Sequence, residues 1–101
     1  MSINASTSAD NKEAILKISG RFDFSLHNEF RNAYKDIVVT AGTYTVDLGQ
    51  TEYLDSSALG MLLLLKEYAE ANSSTVKITN ANSEIREILN IASFDKLFTL
   101  D

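Results

Sequence analysis

The chain has 101 residues and a net charge of −5, with nine Lys and Arg scattered singly among fourteen Asp and Glu. That balance excludes the clustered cations with which proteins neutralise phosphates, so neither nucleic acid nor an anionic membrane surface is an expected partner. No cysteine is present, which removes disulfides, thiolate metal sites and cysteine nucleophiles together. The length suits one domain, residues 1–101, and an apolar fraction of 45% can supply its core without covalent staples. The opening MSINASTSADNK lacks the positive start and apolar centre of a secretory signal. The longest apolar run, Met61 to Leu65, is far short of the ~20 residues that span a bilayer. A soluble, cytoplasmic and monomeric protein is expected.

Residues 1–11 are small and polar and read as a tail or an edge strand. Ala14–Ser19 has strand character, and Gly20 is expected to break it. From Leu26 onward, Phe30, Ala33, Tyr34, Ile37 and Val38 recur at helical spacing, and Asp23 or Ser25 can cap that helix. Thr43–Leu48 is β-branched and aromatic and reads as a strand, with Gly49–Leu54 as a short crossing. Ser57–Ala71 is rich in good helix formers and is apolar nearly all round in its first half. Of that half, Leu59, Leu62, Leu63 and Leu65 are expected to bury against a sheet. Thr75–Thr79 is a further strand. Glu84–Ala92 reads as a short helix with Ile85, Ile88 and Leu89 on one face, and Leu97–Leu100 as a last strand. Strands alternating with helices imply an α/β layer with crossover connections.

Little in the chain supports catalysis. A serine hydrolase needs a hydroxyl, a base and an orienting acid. The single histidine, His27, has no spacing that ties it to a serine, and the G-x-S-x-G elbow is absent. There is no metal-ligand cluster and no glycine-rich phosphate loop. The feature that remains is DSSALGMLLLL, Asp55 to Leu65, where an acid and two hydroxyls stand directly against an apolar run. Asp and Ser cap helices because their oxygens accept the orphan N–H groups of the first turn. The same N-terminus carries a partial positive charge, so a serine there can also hold a phosphate. Asp55 can cap while Ser56 reacts, and both readings stay open on the pattern alone.

Three segments resemble the STAS-domain anti-sigma factor antagonists of bacterial partner-switching modules. They are ISGRFD (Ile18–Asp23), VDLGQTEYLDSSALGMLLLL (Val46–Leu65) and EIREILNIASFDKLFTL (Glu84–Leu100). The likeness runs in matching order from about Lys12 to Leu100. It implies a STAS fold: a small mixed sheet of four to five strands with helices packed mainly on one face. It further implies that Ser56 is a phosphoacceptor, with Asp23, Asp55, Ser57, Ala58, Leu59 and Gly60 as its neighbours and partner-binding residues. The unphosphorylated form would bind an anti-sigma factor that is also a serine kinase with a histidine-kinase-like ATPase domain. Phosphorylation would release that kinase, and a PP2C-type phosphatase would reset the switch. The chain itself would need no cofactor, ATP and magnesium belonging to the kinase. Ala58 and the pair Ala92-Ser93 depart from the glycine and Ser-Gly common in the family. These departures suggest a subgroup, and they keep open an alternative in which the chain is a STAS binding module of a biofilm or motility pathway whose partner is not a sigma-factor regulator. The exposed residues His27, Asn28 and Arg31 of the first helix are expected to add specificity.

Overall fold

The computed structural model describes residues 2–101; Met1, part of the segment expected to be a tail or edge strand, lies outside them. The chain forms one five-stranded sheet in the order β1-β2-β3-β4-β5. Its strands are β1 (Ile3–Thr7), β2 (Glu13–Phe22), β3 (Thr43–Leu54), β4 (Thr75–Thr79) and β5 (Thr99–Leu100). Three helices connect them: α1 (His27–Lys35), α2 (Ser56–Ala71) and α3 (Ser83–Ile91), with 3-10 turns at Phe24–Leu26 and Phe94–Lys96. β1 is antiparallel to β2, and every later pairing is parallel. The architecture is thus a mixed α/β sheet of the kind the sequence implied.

Burial alternates along the strands with a period of two, which places the core on one face of the sheet. Ala14, Leu16 and Ile18 of β2, Tyr44, Val46 and Leu48 of β3, and Val76 and Ile78 of β4 are buried together. Phe30 and Tyr34 of α1, Ala58, Met61, Leu62, Leu65 and Ala69 of α2, and Ile85 and Leu89 of α3 close over them. The opposite face carries Ile15, Lys17, Thr45 and Lys77, and there the buried Thr45 hydroxyl donates to Glu13 at 2.6 Å.

Two boundaries differ from the sequence reading, with a shared cause. Gly20 does not end β2, and Gly49–Leu54 is not a crossing: both strands continue to Phe22 and Leu54. The pairing shifts register between Lys17 and Ser19 and again between Gly20 and Arg21, so β3 accommodates extra residues as bulges. Gly20 has φ +79°, a backbone that glycine adopts without strain, and this lets the ladder resume. The buried Thr51 hydroxyl donates to the Ile18 carbonyl at 2.7 Å and ties the two irregular segments together.

Other differences concern faces. α2 begins at Ser56, one residue earlier than expected, because Asp55 rather than Ser56 is its cap. Leu62 and Leu65 are fully buried and Leu59 half-buried, but Leu63 is 39% exposed: the buried face of α2 is centred on Ala58, Met61, Leu62, Leu65 and Ala69, and Leu63, turned about 100° onward from Leu62, falls beyond it. Ile88 is likewise exposed beside buried Ile85 and Leu89. α1 ends at Lys35, so Val38 falls outside the helix and is exposed, while Val39 turns inward. There the buried Tyr44 hydroxyl donates to the Ile37 carbonyl at 2.9 Å and accepts from the Val39 N–H at 3.0 Å. Burial pushes the Tyr44 phenol above its ordinary pKa. Ser93 has φ +62°, the left-handed conformation that favours glycine, which accounts for the family's preference there.

Candidate functional site

The bulges carry β2 and β3 to a common end. Phe22 pairs with Leu54, so the next residues, Asp23 and Asp55, follow adjacent strand ends. Each aspartate caps what comes after it. The Asp55 carboxylate accepts from the Ala58 N–H at 3.1 Å and from the Ser57 hydroxyl at 2.6 Å. The Asp23 carboxylate accepts from the Ser25 N–H at 3.0 Å and from the Ser25 hydroxyl at 2.5 Å. In both, a hydroxyl two residues downstream locks the capping oxygen. The Ser25 hydroxyl, with help from its backbone N–H and from Arg21, holds the Asp23 carboxyl below the usual carboxylate range.

Between each aspartate and its locking serine sits one residue that the cap leaves facing out. In the first strand end that residue is Phe24, 68% exposed, with its ring stacked on His27 at 5.2 Å between centroids. In the second it is Ser56. Ser56 is exposed, and its hydroxyl has no hydrogen-bond partner among the described residues. Ser57, by contrast, is half-buried and committed to Asp55. Ser56 stands in the first turn of a sixteen-residue helix, where the backbone N–H groups lack intrahelical acceptors and the dipole favours negative charge.

From Ser56 a solvent-facing stripe runs along α2 through Gly60, Leu63 and Leu64 at helical spacing. Leu64 is 48% exposed, so the stripe presents apolar surface beside the free hydroxyl. Gly60 is the telling member. A glycine inside a helix costs roughly 0.5–1 kcal/mol relative to alanine, yet a Cβ at Gly60 would meet nothing within 4 Å. The chain's own packing does not require a glycine there. Ala58 points the other way and is fully buried.

The structure therefore groups Asp55, Ser56, Ser57, Leu59 and Gly60 on the first turns of α2, and puts Asp23 at the neighbouring strand end. His27 is half-buried and stacks on Phe24, while Asn28 and Arg31 are exposed. Sequence reasoning missed Phe24 and the Arg21–Tyr53 pair, in which the guanidinium lies 4.0 Å from the ring centroid at the same end of the sheet. Register shifts bring that pair together, so no simple spacing marked it. Among the described residues no group of three or more His, Asp or Glu is arranged to hold a metal ion, and no helix is long and apolar enough to cross a membrane.

Strand order, one-sided helical layer and capped α2 define a STAS domain. Residues 5–100 match the family described as Mlab, STAS domain, and the chain belongs to it. It is 46% identical over 100 residues to a STAS-domain containing protein of Pseudomonas aeruginosa strain UCBPP-PA14, covering 99% of both chains. Among solved structures it superposes on the anti-sigma factor antagonist SpoIIAA in its unphosphorylated form with a TM-score of 0.74, at 14% identity over 98% of this chain and 86% of that one. The phosphorylated form of Bacillus SpoIIAA matches with a TM-score of 0.68 at 14% identity, over 98% and 90% of the two chains. A sulfate transporter family protein from Wolinella succinogenes also matches, with a TM-score of 0.72 at 14% identity over 90% and 73%. At such identities the likeness is one of fold.

Proposed function

We propose that this STAS domain is a non-enzymatic, phosphorylation-controlled partner switch whose acceptor is Ser56. The observation that carries the reading is the contrast between adjacent hydroxyls: Ser57 is consumed by the cap, whereas Ser56 is exposed and uncommitted. In the unmodified state the Ser56–Gly60–Leu63–Leu64 stripe docks on a serine kinase with a histidine-kinase-like ATPase domain, itself an anti-sigma factor. The missing side chain at Gly60 lets the partner backbone approach closely. The kinase supplies ATP and magnesium. The Ser56 oxygen bonds to the γ-phosphorus, ADP leaves, and the hydroxyl proton passes to a base or to water.

The phosphate adds about −1.5 to −2 charges at pH 7 beside the Asp55 carboxylate. Exposed to water, it is tolerated by the N-terminus of α2. Buried in an interface shaped for a neutral hydroxyl, it is desolvated and unpaired, at a cost of several kcal/mol. A loss of ~3 kcal/mol weakens binding more than a hundredfold. No refolding is needed, because α2 is anchored beneath by Leu62 and Leu65. The release is reversed by a PP2C-type phosphatase acting in the cytoplasm.

The test is a paired capture from lysate of the native host, with Ser56→Ala, Ser56→Asp and enzymatically phosphorylated protein as baits. The expected result is one ATPase-domain protein retained by Ser56→Ala and lost from the phosphorylated bait. Equal retention by all three would overturn the switch.

A further inference from the structure

The two edges of the sheet are unlike. β5 is two residues long and offers almost no pairing template. β1 is five residues long, INAST, without a charge or a proline of the kind that blunts exposed edges. Its pairing with β2 fixes which backbone groups are used. The Ser2 carbonyl accepts from Ser19 and the Ser8 N–H donates to Glu13, so Asn4 and Ser6 between them also face β2. Ile3, Ala5 and Thr7 therefore turn their N–H and C=O groups to the open side. The Ile3 N–H is taken by the Glu29 carboxylate at 3.1 Å. Ala5 and Thr7, both exposed, keep theirs for a further strand.

Beside this edge lies a groove against α1, floored by Ile3, Ala5, Ala33 and Ile37 and rimmed by Glu29 and Asp36. Ala33 and Ile37 are half-buried and pack on the core, so the floor is a fixed apolar surface. The charges of α1 are segregated: Glu29 and Asp36 line this groove, whereas Arg31 and Lys35 line the groove toward α2.

We propose that the β1 edge and this groove receive an extended, basic segment of another protein, which adds to the sheet as a new outer strand. Main-chain hydrogen bonds to Ala5 and Thr7 hold it, and its alternate side chains fall over Ala33 and Ile37. The acidic rim selects the occupant. A second copy paired through β1 would set Glu29 and Asp36 against their own counterparts in a chain whose net charge is already −5. A segment alternating apolar residues with Lys or Arg meets the rim with the opposite sign. This surface is distinct from the exposed stripe of α2, so a tethered partner can hold β1 while Ser56 is modified.

The probe is a short peptide of alternating Val and Lys, N-methylated on one edge so that it cannot pair with itself, titrated into the full chain and followed by amide NMR. Shifts at Ile3–Thr7, Ala33 and Ile37, with slowed hydrogen exchange at Ala5 and Thr7, are the expected result. Ala5→Pro removes an outward N–H and leaves the β1–β2 ladder intact. It should weaken the peptide about tenfold or more by deleting one hydrogen bond and the strand's fit. Asp36→Lys, at an exposed helix end, should weaken it without touching the strand and serves should Ala5→Pro fail to fold. Shifts confined to other surfaces, equal binding of a Val-Glu peptide, or no binding at millimolar concentration would overturn the proposal. So would concentration-dependent self-association abolished by Ala5→Pro, which would give the edge to a second copy.

Discussion

The two strand ends at Asp23 and Asp55 are built alike and serve different ends. Both place an aspartate at the end of the irregular β2–β3 pair, lock its carboxylate with a serine hydroxyl two residues on, and turn one residue outward. After Asp23 the outward residue is Phe24, and the chain continues as a 3-10 turn into the nine-residue α1. After Asp55 it is Ser56, and the chain enters the sixteen-residue α2 directly, with five buried residues beneath it. The cap is thus a generic device for starting a helix. What sets the second end apart is a free hydroxyl on a rigidly seated helix, flanked by Gly60 and exposed leucines.

The largest separation between the two ends should come from their foundations. Leu62→Ala removes a fully buried side chain under the site and is expected to destabilise the fold by about 2–5 kcal/mol, whereas Leu63→Ala on the outer face should cost well under half of that. Chemical denaturation checks both; equal costs would mean that the buried face has been misassigned. Next in size are the caps. Asp55→Ala leaves the Ala58 N–H and Ser57 hydroxyl without their acceptor and should cost about 1 kcal/mol. Asp23→Ala, which heads only a short exposed turn, should cost less by the same measurement.

Gly60→Ala sharpens the comparison in another way. It should stabilise the isolated chain by roughly 0.5–1 kcal/mol, since an added Cβ meets open space, while weakening partner capture. A thermal melt and a capture assay on the same variant read the two effects, and stabilisation without loss of capture would remove Gly60 from the interface. The smallest effect concerns the first strand end alone. The Asp23 carboxyl is held below its ordinary value of 3.8 mainly by the Ser25 hydroxyl. A depressed folded-state value stabilises the protein above the unfolded-state pKa, and that contribution disappears as pH falls through the depressed one. Ser25→Ala should return the Asp23 titration, followed by carboxyl NMR, toward 3.8. An unmoved titration would assign the depression to the remaining donors.

Much of the site was legible because its signals are local. Asp55 before two serines and a run of good helix formers announces a capped helix, and the cap forms as that pattern predicts. The fold class followed from alternating strand and helix periods. What the sequence concealed depends on pairing between strands. Gly20 and Gly49 look like stops, but the bulges between β2 and β3 absorb them and carry both strands to the aspartates. Leu63 looks like core until the one-sided layer leaves that flank of α2 uncovered. Residue pattern alone does not separate Ser56 from Ser57, and only the family resemblance singles out Ser56; the physical difference is a side-chain hydrogen bond of 2.6 Å that commits Ser57 to Asp55.

That distinction is the centre of the account, and phosphosite mapping of the chain recovered from its native host tests it most directly. Tandem mass spectrometry of protein purified from cells across growth conditions, with Ser56→Ala and Ser57→Ala variants alongside, resolves the adjacent positions. The account predicts one phosphate, on Ser56, lost in Ser56→Ala and retained in Ser57→Ala. Phosphate on Ser57 or Ser25 instead, or none under any condition, would contradict it.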